Sequence, residues 1–137
     1  MKMHRLPTVR EFMDTRAYVL SPDTDIIAGV NYLLKKHVTG APVVDAKGQM
    51  VGILTELDCL KLLTLGDKDH EAPSGKVRDF MTSNVQSIPP DMDIYYAAGL
   101  FMKVAFRRFP VVEDGRLVGT ITRLDILRAV RRGLDKM

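Results

Sequence analysis

The chain has 137 residues, 46% of them hydrophobic and 27% charged, with a net charge of +3, an ordinary globular mixture for one domain or two small halves sharing a core. That mild basic balance suits anionic ligands but is too weak to argue for nucleic acid. A single cysteine, Cys59, excludes an internal disulfide and fits a reducing compartment. The start, MKMHRLP, lacks the apolar core of a signal peptide, and the longest apolar stretch, residues 94–102, is far too short to span a bilayer. A cytoplasmic protein is expected.

The chain is an internal repeat. Residues 9–44 align with 77–112 at an offset of 68 with 12 identities in 36 positions, and residues 48–66 align with 115–133 at an offset of 67 with 8 in 19. The one-residue shift falls in a hairpin turn, where length changes are tolerated. The period exceeds that of most solenoid repeats, so two copies should pack face to face. Copy one takes residues 9–66, a linker 67–76, and copy two 77–133.

After a short lead-in, Val9-Arg10-Glu11-Phe12-Met13 and Val77-Arg78-Asp79-Phe80-Met81 open the copies as a helical turn. Residues 18–20 and 85–88 read as short strands, ended by Ser21-Pro22-Asp23 and Pro89-Pro90-Asp91. A helix follows in each copy. Ile26, Val30, Leu33 and Leu34 recur at helical spacing, as do Ile94, Ala98, Phe101, Met102 and Ala105. Thr24 is the expected N-cap of the first.

A hairpin comes next in each copy. Ala41-Pro42-Val43-Val44 should pair with residues 50–54, through a loop with Gly48 in a left-handed position. Phe109-Pro110-Val111-Val112 should pair with residues 117–121 through a two-residue Asp114-Gly115 turn. A closing helix begins at Thr55 or Thr122, and Gly66 and Gly133 stand where a C′ glycine would end it. The polar stretch 67–76, with Pro and Gly, is the linker. Each copy reads β-α-β-β-α, an α+β arrangement, and neither has much core of its own.

The two junctions from hairpin to closing helix share one heptapeptide, Gly52-Ile53-Leu54-Thr55-Glu56-Leu57-Asp58 and Gly119-Thr120-Ile121-Thr122-Arg123-Leu124-Asp125. Thr with an acidic residue three positions on is a capping box, worth about 1 kcal/mol for the cap. A hydroxyl and a carboxylate at a helix N-terminus can also hold a polar ligand. The glycine in the strand marks close approach by a ligand or by another backbone. Capping and ligand binding are compatible, since Thr can cap while Asp faces a cleft.

The order Val-Arg-Asp-Phe-Met-Thr, strand, helix, Pro-Val-Val, Asp-Gly hairpin, Gly-x-x-Thr-x-x-Asp resembles the cystathionine-β-synthase (CBS) domain, and its double occurrence resembles the tandem pair called a Bateman module. The resemblance covers residues 9–133. It implies a pair of pseudo-symmetric CBS motifs that holds adenosine-containing ligands in two clefts between the copies and dimerises. With no room for an attached enzyme or transporter, the chain resembles the stand-alone kind. The ligand implied is an adenine nucleotide, AMP first, with ADP, ATP or S-adenosylmethionine as alternatives, sensed rather than used as a cofactor. A ligand-free interaction or dimerisation scaffold is the competing reading.

By the same resemblance, Asp58 and Asp125 hold ribose hydroxyls, and Thr55 and Thr122 contact ribose or phosphate. A carboxylate accepts hydrogen bonds from a vicinal diol but repels phosphate, so a cation is needed, and Arg107 and Arg108 are the candidates. Thr39 holds the position of Arg107 in copy one, with Lys36 nearby. The adenine slot would mix the copies. Ala17, Tyr18, Val38 and Thr39 would serve the cleft of Asp125, and Val85 and Phe106 that of Asp58. Copy two, with its arginines, should give the tighter cleft.

Other features carry less. His4, His37 and His70 lack metal-ligand spacing. Arg128, Arg131 and Arg132 fall in the last turns of a helix, where cations complement the dipole. No P-loop, Gly-x-Ser-x-Gly or nucleophile with a base is present, so no enzyme is expected. Leu60, Leu62, Leu63, Ile126, Leu127 and Val130 exceed what a two-copy core needs and predict a homodimer. A regulated protein partner and no membrane complete the expectation.

Overall fold

The computed structural model describes residues 6–16, 18–65, 74–104 and 107–135. Its two compact units are not the two sequence repeats. A central unit holds residues 17–85, and a flanking unit combines residues 1–16 with 86–137. Each unit therefore contains the hairpin and helices of one repeat together with the opening turn of the other.

In the central unit, helix α1 (Ile26–Lys36) leads to a hairpin of β1 (Gly40–Val44) and β2 (Met50–Thr55), then to short helices α2 (Glu56–Leu60) and α3 (Leu62–Leu65). Helix α4 (Val77–Phe80), the opening turn of the second repeat, completes the unit. Val77 is fully buried in one core with Ile26, Val43 and Leu54. Asp25, not Thr24, caps α1, accepting from the N–H groups of Ile27 at 3.0 Å and Ala28 at 3.3 Å. The Thr24 carbonyl is instead used by the N–H of Val77, at 2.8 Å.

In the flanking unit, a 3₁₀ turn (Val9–Glu11) joins α5 (Ile94–Lys103), the hairpin of β3 (Arg108–Glu113) and β4 (Arg116–Thr122), and α6 (Arg123–Asp135). Val9 is buried with Ile88, Val111 and Ile121. Phe101 meets Phe109 edge to face, 4.8 Å between centroids at 76°. Helix α6 runs through Gly133 to Asp135, because that glycine keeps an ordinary helical φ and so ends nothing. Its counterpart Gly66 and most of the expected linker lie outside the described residues.

Both turns follow their chemistry. Gly48 has φ 84°, and Asp114 and Gly115 have φ 54° and 80°, joining Glu113 to its register partner Arg116. The two expected first strands shrink to one parallel bridge each, Leu20 beside Val43 and Ile88 beside Val111. Leu20 N–H donates to the Pro42 carbonyl and Val44 N–H to the Leu20 carbonyl, both at 2.9 Å. Ile88 does the same with Pro110 and Val112, at 2.9 and 3.0 Å. The edge of β1 or β3 that meets this segment carries a proline without an N–H, so the ladder cannot lengthen there.

The exchanged segments are held by paired backbone bonds. Ile53 and Thr82 exchange N–H and carbonyl at 2.9 Å each way, and Asp14 and Thr120 do so at 2.8 and 2.9 Å. These contacts account for the heptapeptide glycines. A Cβ on Gly52 would lie 2.8 Å from the Thr82 carbonyl oxygen and 2.8 Å from Met81 Sδ, and one on Gly119 would lie 2.8 Å from the Asp14 carbonyl oxygen. Close approach by another backbone, one of the readings open in the sequence, is thus present at both glycines.

Of the six apolar residues assigned to an interface, Leu62 and Ile126 belong instead to the cores, because they point down the inner faces of α3 and α6. Leu60, Leu63, Leu127 and Val130 are exposed, and Leu57 and Leu124 join them. The expected outcome at the glycines is specific. Gly52→Ala and Gly119→Ala should each lose about 1–3 kcal/mol in urea unfolding, as overpacked sites do. Gly99→Ala, in α5 with nothing within 4 Å of the new Cβ, should be neutral or gain about 0.5–1 kcal/mol.

Candidate functional site

Each heptapeptide closes into the same cap. Thr55 precedes α2, and its backbone N–H and hydroxyl donate to Asp58 Oδ2 at 2.9 and 3.0 Å, while the Asp58 N–H donates back to Thr55 Oγ1 at 3.3 Å. Thr122 and Asp125 repeat this at 2.8, 3.0 and 3.3 Å. These are capping boxes with an added side-chain bond. They bury the carboxylates, leaving Asp58 3% and Asp125 6% exposed. One oxygen of each, Oδ2, is thus committed to the chain, and only Oδ1 can face a ligand.

The Oδ1 atoms have different neighbours. Asp58 Oδ1 accepts from the hydroxyl of Thr82 at 3.0 Å, with Lys61 Nζ 3.9 Å away. Asp125 Oδ1 accepts from Arg128 Nη1 at 2.6 Å. The counterpart of Thr82 is Asp14, which has no hydroxyl to offer. Its carboxylate is gripped by Arg16, with Nε at 3.1 and 3.0 Å from the two oxygens and Nη2 at 2.8 Å. Those bonds, chiefly the side-chain ones, hold the Asp14 carboxyl below its ordinary range, and the charge of Arg108 adds a smaller pull. Burial pushes the Cys59 thiol up, and the Asp58 charge pushes it further.

The expected site residues divide between the units. Tyr18, Val38, Thr39, Thr55, Asp58 and Val85 lie in the central unit, and Arg107, Arg108, Thr122 and Asp125 in the flanking one. Ala17 and Phe106 lie outside the described residues. Within the central unit the Thr39 carbonyl accepts the N–H of Glu56 at 2.8 Å, at the start of α2, and Gly40 is the register partner of Thr55. Lys36 Nζ stands 6.0 Å from the Tyr18 ring centroid and 5.9 Å from that of Tyr32, placing a cation on the aromatic pair. Within the flanking unit the register partner of Thr122 is Arg108, half-buried, while Arg107 is exposed.

Three polar residues at the carboxylates, Arg128, Lys61 and Thr82, are not among the residues the sequence points to. Arg128 was assigned only to the helix dipole, yet it sits three positions after Asp125, a spacing that pairs opposite charges on a helix. Thr82 had no local signal, because it reaches Asp58 only through the exchange of the opening segment. Among the described residues no group of three or more His, Cys, Asp or Glu could hold a metal ion, and no helix is long and apolar enough to cross a membrane.

The sequence pattern of the CBS domain matches residues 9–65 and again 77–132. The chain belongs to the CBS-domain family. Its fold matches CBSX2 of Arabidopsis thaliana, solved in complex with AMP, with a TM-score of 0.80 and 32% identity, covering 93% of this chain and 98% of that one. It also matches the CBS domain pair of protein MJ0100, solved with 5-methylthioadenosine and S-adenosyl-L-methionine, at a TM-score of 0.75 and 25% identity over 94% and 99% of the two chains. The A-adding tRNA nucleotidyltransferase of Aquifex aeolicus is 33% identical over 129 residues, which are 94% of this chain but 15% of that protein. The chain thus spans 15% of the length of that relative and 63% of that of CBSX2.

The geometry of this CBS pair makes the Thr82 hydroxyl a support for a buried carboxylate. Thr82→Val should lower stability by about 1–3 kcal/mol, the range for an unsatisfied buried partner of a charged hydrogen bond. Thr82→Ser, which keeps the donor, should lose much less. Paired chemical unfolding curves check this.

Proposed function

We propose that this chain is a regulatory module that binds an adenosine-containing nucleotide, with AMP as the first candidate, and that it senses the ligand rather than transforming it. The observation that carries the reading is the pair of equivalent buried carboxylates, each with Oδ2 locked in a helix cap and Oδ1 holding a single side-chain hydrogen bond, so that it can accept one more. Ribose hydroxyls are donors of the right kind. The likeness to CBSX2 in complex with AMP, and to the MJ0100 pair with two other adenosyl compounds, supports the same ligand class.

Arg107 and Arg108 are proposed to hold the phosphate. Arg108 pairs in register with Thr122, one cap away from Asp125. Thr39 is proposed beside the sugar or phosphate, and Tyr18, Val38 and Val85, with Ala17 and Phe106, at the base. The setting is proposed to be cytoplasmic, with a regulated protein partner of unassigned identity.

Calorimetry tests the ligand. AMP should bind tighter than adenosine by about tenfold or more, since a hydrogen bond to a charged group is worth roughly 1.5–3 kcal/mol. The gap should narrow as salt rises. Equal affinities would remove Arg107 and Arg108 from the site, and no binding of AMP, ADP, ATP or S-adenosylmethionine would favour the scaffold reading.

The module is further proposed to form a homodimer. Leu57, Leu60 and Leu63 form an exposed stripe along α2 and α3, and Leu124, Leu127 and Val130 repeat it on α6. Two such stripes at equivalent positions are the self-complementary surface that a two-fold assembly uses. Light scattering at micromolar concentration should give twice the chain mass, and Leu60→Glu with Leu127→Glu should reduce it to one. A monomeric wild type, with and without AMP, overturns this.

A further inference from the structure

Asp58 and Asp125 are alike at Oδ2 and unlike at Oδ1. The position equivalent to Arg128 is Lys61, whose Nζ stays 3.9 Å from Asp58 Oδ1 while the neutral Thr82 hydroxyl takes that oxygen at 3.0 Å. In the flanking unit the position equivalent to Thr82 is Asp14, which cannot donate and is bound to Arg16. Arg128 fills the gap from one turn along α6, with Nη1 2.6 Å from Asp125 Oδ1. Its side chain is 67% exposed, against 9% for that of Asp125, so the arginine covers the carboxylate from the solvent side.

From this we infer that Arg128 is an internal competitor for the sugar at Asp125, a specificity-determining residue whose equivalent, Lys61, stays 3.9 Å from Asp58 Oδ1 without a hydrogen bond to it. The inference rests on the nucleotide-binding reading above. A ribose hydroxyl can approach Asp58 by sharing Oδ1 with a neutral hydroxyl, which leaves a lone pair open. At Asp125 the same oxygen lies under a charged guanidinium on its solvent side, so the hydroxyl has to push aside or share a charge-assisted bond. The uncharged nucleoside feels this most, since it brings no phosphate to engage the released guanidinium. Because one partner of the pair is largely solvated, the effect is modest and salt-sensitive.

The test is an NMR titration with adenosine, read separately at the backbone amides of Thr122 and Asp125 and at those of Thr55 and Asp58. Arg128→Met keeps the apolar stem and removes the charge, and Arg128→Gln serves as a second variant should the first fail to fold. Affinity at Asp125 should rise about twofold to fivefold in either variant, the range set by one exposed ion pair. Arg128→Lys should stay near wild type, and the Asp58 amides should titrate unchanged. Added salt should strengthen adenosine binding at Asp125 in the wild type but not in Arg128→Met, a dependence that a merely structural role would not produce. Unchanged or weaker binding at Asp125 in both variants overturns the inference and makes Arg128 a bystander or a ligand contact. Absence of adenosine-dependent and AMP-dependent shifts at all four amides in every protein overturns the nucleotide reading itself.

Discussion

Two short exchanges of backbone hydrogen bonds hold this molecule's design together, Ile53 with Thr82 and Thr120 with Asp14. Each brings the opening segment of one repeat against the second hairpin strand of the other, at the residue after a glycine whose missing side chain makes room for a carbonyl and a methionine sulfur. The buried faces of Val9 and Val77 follow, because the turns that carry them are anchored at both ends. So does the environment of the two carboxylates. Each exchange sits two residues before a Thr-x-x-Asp cap, so it decides which residue, Thr82 or Asp14, is anchored beside the strand that leads into that cap.

The heptapeptide therefore serves two purposes through different residues. Its glycine is a contact device for the chain, and its Thr and Asp build a cap that closes on itself. A site assembled this way needs no ligand to be stable, since Oδ2 of each aspartate is satisfied by its own helix. That separation leaves Oδ1 to vary. A hydroxyl at one site and a guanidinium at the other are different answers to the same requirement, that a buried carboxylate be paired.

The repeat, the hairpins, their turn chemistry and the capping boxes were legible in the sequence, because each depends on residues within a few positions of one another. Asp114-Gly115 dictates its turn, and Thr122 finds Asp125 one turn away. What lay out of reach was non-local. Nothing in Val77-Arg78-Asp79-Phe80-Met81 says that it joins the hairpin of the first copy rather than its own, since both copies offer the same glycine-containing strand. The shortened first strands were readable in principle from Pro42 and Pro110, whose missing N–H groups fall on the edge that would have lengthened the ladder. The N-cap went to Asp25 over Thr24 because the Thr24 carbonyl is used by that same exchanged segment.

A regulatory ligand acts only through a difference in its affinity for two states of the protein. The ion pair on α6 supplies a concrete candidate for such a difference. Arg128 lies one turn from Leu124 and three positions before the exposed Arg131, on a helix whose apolar stripe is the proposed contact with a second copy. While Arg128 is held by Asp125, that face presents a neutralised pair. On the proposed binding mode, a sugar taking Oδ1 would release the guanidinium into the same face as a free positive charge beside its neighbours. A second copy docked there would feel the added charge, and by reciprocity its docking would change the cost of releasing Arg128. The corresponding lever in the central unit is weaker, since the Asp58 oxygen accepts from a neutral hydroxyl and Lys61 stays 3.9 Å away. Equivalent folds with unequal charge at one oxygen would thus give two sites of one ligand class different consequences for assembly.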